Sequence, residues 1–161
     1  PPQEVATLLN ILMLEDLKSE LYFTIALGYL DLETGAVDIT QCGHPNPVLV
    51  RAGGTPGYHG SGGLPIGLIE DADFTQEQLQ LAPGDRLLFY SDGFTECTGP
   101  EGQMLEEDGF ARLIQANDTL KGSAFFEALV WDLDTFNGGG EFADDLSAAM
   151  IEYRGPRVQA K

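Results

Sequence analysis

A run of four apolar residues that ends in a carboxylate constrains this fold more than any other feature of the sequence. The run occupies residues 87–90, and Ser91, Asp92 and Gly93 follow it at once. A short apolar run bounded by turn residues is typical of a strand buried on both faces. The chain is therefore expected to fold around a covered sheet, with Asp92 at the rigid end of a core strand and Gly93 permitting a turn.

A pair of acidic residues precedes a second strand-like run further along the chain. Asp144 and Asp145 stand just before the apolar residues 148–151. Hard divalent cations prefer oxygen ligands, so two strand ends that offer carboxylates predict a site for such a cation. Neighbouring side chains of an extended segment point to opposite faces. Only one of the two aspartates is therefore expected to face the same metal as Asp92.

The charge of the chain excludes some classes of partner. It carries 26 acidic and 8 basic residues, which give a formal net charge of -18. Such a surface repels phosphate backbones and anionic bilayers, so we expect neither a nucleic-acid nor a membrane partner. A length of 161 residues with 43% hydrophobic content indicates one folded domain. Cys42 and Cys97 stand far apart, which favours reduced thiols in a cytoplasmic protein.

Hydrophobic periodicity predicts the order of the elements. An opening helix should bury one face that carries Val5, Leu8, Leu9 and Leu12. Turns are predicted at residues 31–35 and 82–85, and a long glycine-rich loop at residues 53–67. Strands are predicted at residues 21–30, 36–42, 48–51, 74–81, 87–90 and 146–153.

Two helices are predicted between the last two strands. Phe110, Leu113 and Ile114 form the stripe of the first. The second should begin near Ser123, end at Gly138, and bury Phe126, Leu129, Val130 and Leu133. Because the strand connections are short, the fold class is α+β, with antiparallel sheets and segregated helices.

Six short motifs occur in an order that resembles one protein family. They are residues 23–31, Gly43-His44-Pro45, and residues 64–68 (LPIGL), 81–85 (LAPGD), 90–96 (YSDGFTE) and 144–147 (DDLS). Together they resemble the SpoIIE/RsbU branch of the metal-dependent protein phosphatases (PPM), over nearly the whole chain. YSDGFTE followed downstream by DDLS is the most specific combination.

The resemblance implies a fold and a reaction. The fold is a sandwich of two antiparallel sheets flanked by helices, with two Mn²⁺ or Mg²⁺ ions at one edge. The reaction is hydrolysis of phosphoserine or phosphothreonine by metal-activated water. The implied substrate is a phosphorylated regulatory protein, usually an anti-sigma-factor antagonist. A receiver or sensor domain upstream in a bacterial signalling protein is implied as the input.

The resemblance also assigns roles to residues of this chain. Asp92 and Asp144 match metal ligands of the family, and Asp145 is the neighbour that belongs to the same acidic pair. Gly93, Glu96 and His44 are candidates for positions that support the ligands. Glu96 either supports a ligand or pairs within its own loop. His44 is either a general acid or a loop histidine whose hydrogen bonds hold the turn.

One motif of the family has no match in this sequence. It is an earlier Gly-Asp pair whose Asp bridges both metals. We therefore expect residues 1–154 to be the C-terminal part of a phosphatase domain that lacks N-terminal strands, with a flexible tail at residues 155–161. Such a fragment should bind metal weakly and show little or no activity, whereas a longer parent is active.

Two other functions stay open on the sequence alone. One is a non-catalytic interaction module on the same fold, whose acidic surface binds a partner. The other is an acidic calcium-binding β module, although no loop has the alternating ligands of an EF-hand. The apolar stripe of residues 1–13 could pair with a second copy of the chain, so a homodimer is one option.

Overall fold

The computed structural model describes residues 1–16 and 21–156 and contains three α-helices and seven strands over those ranges. Helix α1 opens the chain and runs on into a π-helical turn, Leu12–Asp16. A single 3-10 turn, Asp92–Phe94, follows the sixth strand. The elements are α1 (Pro2–Ile11), β1 (Ile25–Leu30), β2 (Ala36–Cys42), β3 (Val48–Val50), β4 (Pro56–Tyr58), β5 (Gln76–Gln80), β6 (Arg86–Tyr90), α2 (Glu106–Ala116), α3 (Ser123–Asn137) and β7 (Ala148–Glu152).

The strands form two sheets in which every pairing is antiparallel. The first sheet has the order β1-β2-β5 and the second β4-β3-β6-β7. The β1–β2 hairpin closes at the predicted turn, where the carboxylate of Asp31 accepts hydrogen bonds from the backbone N–H groups of Glu33 (2.8 Å) and Thr34 (3.2 Å). The α+β prediction with two antiparallel sheets is confirmed.

Hydrophobic side chains arrange these elements in four layers. The sheets pack face to face through Val37, Ile39, Leu49 and Leu87, among others. The outer face of the second sheet carries Leu88 and Tyr90, and it is covered by α2 and α3 through Phe110, Ile114, Phe125, Leu129 and Leu133. Helix α1 covers the first sheet, where Ala6 packs with Cys42, Ile66 and Phe74. Strand β6 is thus covered on both faces, as its unbroken apolar run predicts.

A buried carboxylate fixes the turn from which β6 starts. The side chain of Asp85 is 2% exposed and lies 2.6 Å from Nη1 of Arg51. It also accepts hydrogen bonds from the backbone N–H groups of Ala52 (2.9 Å) and Ala82 (2.9 Å). Burial alone would raise the pKa of Asp85, but these hydrogen bonds and the guanidinium hold the pKa below its ordinary value.

The predicted buried face of α1 is wrong. Val5 is 47% exposed, Leu8 66% and Leu12 42%, and of the predicted stripe Leu9 alone packs on the core beneath the helix. The buried positions are Pro2, Ala6 and Asn10. The amide of Asn10 accepts a hydrogen bond from Gly67 N–H (2.7 Å) and donates one to the carbonyl of Ile69 (2.9 Å). These hydrogen bonds place Asn10 against the core, so Leu8 and Leu12 face the solvent. Hydrophobic periodicity cannot predict a buried polar side chain of this kind.

Other features also differ from the prediction. The first strand begins at Ile25 rather than residue 21, after an isolated bridge between Phe23 and Ile66. The loop at residues 53–67 contains β4, which extends the second sheet beside β3. In α3, Phe125 occupies the core with Leu129 and Leu133, whereas Phe126 is partly buried and Val130 is 43% exposed.

Four strands have one unpaired edge within the described ranges, and two of them, β1 and β7, lie on either side of one groove. In those ranges, β1 pairs with β2 alone and β7 pairs with β6 alone. An open apolar groove of about 200 Å³ runs between these edges and is lined by Ala26, Leu30, Leu87, Phe89 and Ile151, among others. The side of the sandwich next to β1 and β7 is therefore open, and we call it the open edge.

Three smaller predictions concern the cysteines, the end of the chain and the length of its helices. Cys42 and Cys97 are both free and buried. Of the predicted tail, residues 157–161 lie outside the described residues. No helix in the described ranges has the length and apolar character that a membrane span requires.

Candidate functional site

The pairing of β6 with β7 brings the two acidic motifs together. Tyr90, the last residue of β6, lies opposite Ala148, the first residue of β7. Because the strands are antiparallel, the residues after β6 and those before β7 continue side by side. The segment with Asp92 and the segment with Asp144 and Asp145 therefore emerge at the same edge of the sheet.

Ser91 holds these two segments in place. Its backbone N–H donates to the carbonyl of Ser147 (2.8 Å), and its hydroxyl donates to the carbonyl of Asp145 (2.8 Å). The same hydroxyl oxygen accepts a hydrogen bond from Ser147 N–H (3.0 Å). We call this three-bond arrangement the Ser91 clasp. It joins the YSDGFTE and DDLS motifs without using any acidic side chain.

Gly93 is required because the second segment approaches it closely. A Cβ atom added at Gly93 would lie 2.8 Å from the carbonyl oxygen of Asp145 and 3.5 Å from Cβ of Asp144. Gly93 does not have a positive φ. The glycine therefore provides space for the Asp144–Asp145 backbone, rather than the conformational freedom for a turn that the sequence suggested.

The acidic side chains of the two segments are exposed to solvent. Asp144 accepts a hydrogen bond at Oδ1 from the backbone N–H of Asp145 (2.7 Å), while Asp145 contributes its carbonyl oxygen to the Ser91 clasp. The backbone bends at Ala143 and Asp144, so the rule for extended strands does not decide which aspartate faces Asp92. The roles of Asp92, Asp144 and Asp145 as ligands stay a prediction.

An open cleft of about 590 Å³ lies beside these segments. It is lined by Gly93, Glu96, Glu141 and Asp144, among others, and we call it the acidic cleft. The backbone N–H of Glu96 donates to the carbonyl of Asp92 (2.8 Å). Its carboxylate forms no ion pair with a described residue. Pairing of Glu96 within its own loop is thus not observed, and three carboxylates share the cleft.

His44 lies on the other side of the Asp92 segment. It lines an open pocket with Ser91, Ser147 and Ala148, among others. Burial lowers the pKa of His44, and the charge of Asp92 partly opposes this shift. Nδ1 of His44 is buried and has no hydrogen-bond partner among the described residues. Nδ1 therefore does not hold the turn, and the role of His44 stays a prediction. The loop is held instead by Gln41, whose amide donates to the carbonyl of His44 (3.1 Å) and to Asn46 Oδ1 (2.9 Å).

The site has the donor chemistry for a hard cation but not a complete set of ligands. Carboxylate oxygens suit Mn²⁺ and Mg²⁺. Within residues 1–16 and 21–156, however, no group of three or more His, Cys, Asp or Glu side chains is placed to hold a metal ion. The described residues alone do not fit a two-metal centre.

Comparison with known proteins agrees with the order of motifs and the four-layer arrangement. The family model described as Stage II sporulation protein E (SpoIIE) matches residues 1–154. The chain belongs to the SpoIIE family. The resemblance to SpoIIE/RsbU-type phosphatase domains is thereby confirmed. The identity of a substrate and the binding of metal do not follow from membership.

Solved structures with the same fold come from several bacteria. The RsbU and RsbW domains of a Mycobacterium tuberculosis protein match with a TM-score of 0.65 and 27% identity, over 84% of this chain and 37% of that one. The SiaA-PP2C domain of Pseudomonas aeruginosa matches with a TM-score of 0.82 and 18% identity, over 94% and 61%. The Bacillus subtilis SpoIIE phosphatase domain, presoaked with Mn, matches with a TM-score of 0.66 and 17% identity, over 99% and 67%.

A curated relative gives a more distant match. Protein IcfG of Synechocystis is 24% identical over 101 residues, which are 63% of this chain and 16% of that protein. This chain thus spans less than two thirds of that relative and of the first two solved structures. The SpoIIE-family chain is similar to parts of these proteins.

Sequence reasoning missed three residues that build the site. Ser91 is part of the YSDGFTE motif, but its hydroxyl could be assigned a role only once the partner segment was placed. Gln41 is an ordinary strand residue in the sequence, yet it is 5% exposed and organises the His44 loop. Glu141 lies in an irregular segment, and no local pattern indicates that it reaches the acidic cleft.

Proposed function

We propose that this chain is part of a serine/threonine protein phosphatase domain that hydrolyses phosphoserine or phosphothreonine. The Ser91 clasp is the observation that carries the proposal, because it brings the two most specific motifs of the SpoIIE family to one edge. Family membership over residues 1–154 supports the reaction class. We further propose that those residues are the C-terminal part of the domain.

We propose Asp92 and Asp144 as ligands of Mn²⁺ or Mg²⁺, with Asp145 beside them. Two ions are expected in the complete domain. Because the described residues lack a closed set of ligands, a further carboxylate has to come from outside them. The open edge supports this, since a strand that pairs with β7 would pass close to Asp144. Gly93, Glu96 and His44 are proposed to support the ligands.

We also propose partners of the kind that the family suggests. The substrate would be a phosphorylated anti-sigma-factor antagonist, and a receiver or sensor domain would lie upstream in the parent chain. The likeness to a protein that carries RsbU and RsbW domains supports a role in such regulation. The exposed leucine face of α1 supports a homodimer. Two free, buried cysteines suit a reducing compartment such as the cytoplasm.

The test uses the full-length polypeptide that contains residues 1–161. Its Mn²⁺-dependent release of phosphate from a phosphoserine protein would be compared with that of Asp92→Asn and Asp144→Asn. We expect both variants to lose at least about a hundredfold in kcat/KM, because each removes charge from the ion site. Without metal their melting temperatures should stay close to the original, since both side chains are exposed.

Asp71→Asn is the matched control, because Asp71 is exposed and lies outside the acidic cleft. It should keep full activity. Undiminished hydrolysis by Asp92→Asn would refute the proposed site. The 161-residue chain assayed alone should bind Mn²⁺ weakly and turn over little or no substrate, whereas robust turnover would contradict the need for further ligands.

A non-catalytic interaction module is the second candidate function. The incomplete set of ligands within the described ranges is the observation that favours it. If the full-length protein binds a phosphorylated antagonist protein without hydrolysing it at saturating Mn²⁺, this alternative replaces the enzyme.

A further inference from the structure

A second open cleft, of about 630 Å³, lies at the opposite end of β6 from Asp92. Its lining includes Arg51, Arg86, Lys121 and Arg154, and we call it the basic cleft. Arg86 is the first residue of β6, whereas Asp92 follows the last. Strand residues advance by about 3.3 Å each, so the two sites are roughly 20 Å apart. The basic cleft is therefore separate from the proposed catalytic edge.

The basic cleft contains most of the basic residues that the structure describes. The sequence has 8 basic residues against 26 acidic ones. Five of the basic residues lie in the described ranges, and four of them line this cleft, so Arg112 alone lies elsewhere. Asp118 and Glu152 also line it, and Arg51 is paired with the buried Asp85, so three other basic residues face two acidic ones. A local excess of positive charge on a chain with a net charge of -18 is where an anion would be attracted.

Arg86 forms the floor of the cleft and carries an unpaired charge. The residue is 7% exposed, and its guanidinium lies 5.4 Å from the centre of the Phe125 ring. Nη1 donates one hydrogen bond, to the carbonyl of Leu120 (3.3 Å). Arginine has five N–H donors. No described carboxylate lies within ion-pair distance of Arg86, because the two recorded ion pairs are Arg51–Asp85 and Arg154–Glu152. Glu152 lies opposite Arg86 on β7, outside ion-pair distance, and contacts Arg154 instead. The Arg86 guanidinium therefore keeps N–H donors free for an anionic ligand.

Two exposed basic side chains lie at the rim of the cleft. Lys121 is exposed and forms no ion pair within the described ranges. The side chain of Arg154 is 87% exposed, and its contact with Glu152 is long, at 3.6 Å. Such a contact at the surface contributes little and is readily exchanged. Arg86, Lys121 and Arg154 thus line one cleft, and arginine in particular binds phosphate through paired N–H donors.

We propose that the basic cleft is a phosphate-binding site, separate from the acidic edge, which uses Arg86, Lys121 and Arg154. Its volume is within the range of small-ligand sites. The phosphate could belong to a free small molecule or to a phosphorylated polypeptide, and both sources present the same oxyanion. Arg51 is committed to Asp85 and serves as part of the wall.

Calorimetric titration of the 161-residue chain tests the proposal, with EDTA present so that no metal contributes. The probes are pyrophosphate, a phosphoserine peptide and its unphosphorylated counterpart, at constant ionic strength. We expect saturable binding with one site per chain. Lys121→Ala and Arg154→Ala should each weaken it about tenfold, because each removes a charge-assisted hydrogen bond. Both residues are exposed, so the melting temperature should not change.

Arg112→Ala is the matched control, since it removes the described basic residue that lies outside the cleft. It should bind as the original chain does. Tighter binding of the phosphopeptide than of pyrophosphate would identify a polypeptide source, and the reverse a small molecule. Arg86→Lys, which keeps the charge but loses the paired donors, should weaken binding if it melts normally.

Several outcomes would overturn the proposal. They are the absence of saturable binding for both phosphorylated probes, equal binding of the unphosphorylated peptide, and an equal loss in Arg112→Ala. Asp92→Asn should leave binding unchanged, and a loss in that variant would place the probe at the acidic edge instead. Binding is measured here without metal and without hydrolysis. The result therefore does not depend on whether the proposed phosphatase activity is correct.

Discussion

Asp85 is a single residue on which the position of β6 depends. Its side chain is 2% exposed and satisfies two backbone N–H groups and one guanidinium. In Asp85→Ala those N–H groups would be left without partners, so we expect a loss of about 3 kcal/mol in the free energy of unfolding. Asp85→Asn keeps an acceptor and should lose less. Urea denaturation measures both, and exposed Asp71→Ala should change stability by less than about 0.5 kcal/mol.

The same carboxylate makes stability depend on pH in a defined direction. The pKa of Asp85 in the folded chain is below its ordinary value of 3.8. Its contribution is therefore present above that value and is lost as the pH falls through the folded pKa. Between pH 6 and pH 3, the original chain should lose more stability than Asp85→Asn. Equal losses in the two proteins would show that the carboxylate is not stabilised by folding.

Gly93 provides a second test at the residue scale. An added methyl group would meet the carbonyl oxygen of Asp145 at 2.8 Å, so Gly93→Ala has to displace the segment held by the Ser91 clasp. We expect a loss of about 1–3 kcal/mol in stability, and a weaker response of phosphatase activity to Mn²⁺ in the full-length protein. Gly57→Ala is the control, because its new methyl group would meet only His59 Nε2, at 3.8 Å. Unchanged melting of Gly93→Ala would contradict the close approach.

Among the elements, α1 and the π-helical turn after it expose an apolar face that a partner could cover. Val5, Leu8, Ile11 and Leu12 are between 42% and 66% exposed. Burial of such side chains is favourable by about 25 cal/mol per Å². If this face joins two copies, the full-length protein should sediment as a dimer, and Val5→Glu with Leu8→Glu should sediment as a monomer with the same helical content.

The matched control for α1 is Thr7→Glu with Glu4→Gln, which alters exposed polar positions of the same helix and keeps the net charge unchanged. It should remain a dimer. If the original protein sediments as a monomer at high concentration, the homodimer prediction is wrong.

Helix α1 shows that a sequence pattern can predict where a helix lies but not which of its faces is buried. Periodicity located the helix because its apolar spacing is regular, and strand bounds such as residues 36–42 followed from the turns on either side. The buried face could not be chosen, because it depends on which surface faces another layer. Likewise the pattern placed Asp92 and Asp144 at strand ends, but only the β6–β7 register could show that these ends are adjacent.

At the scale of the whole molecule, the charges are separated along β6. Carboxylates of Glu96, Glu141 and Asp144 collect around the acidic cleft, and four cationic side chains collect around the basic cleft. The field of the molecule is therefore uneven despite its large negative total. A phosphorylated partner would be repelled over most of the surface and attracted at one end, which orients its approach.

The open edge has a thermodynamic consequence for the molecule. A polypeptide that adds itself alongside β7 would lie next to the segment that leads into this strand, which carries Asp144 and accepts the hydrogen bond of the Ser91 hydroxyl at Asp145. Strand addition and cation uptake would then share residues, and linkage requires that each strengthen or weaken the other by the same factor. Where the added strand strengthens ion binding, any signal that loosens the strand lowers the affinity for the ion without reaching the ion itself.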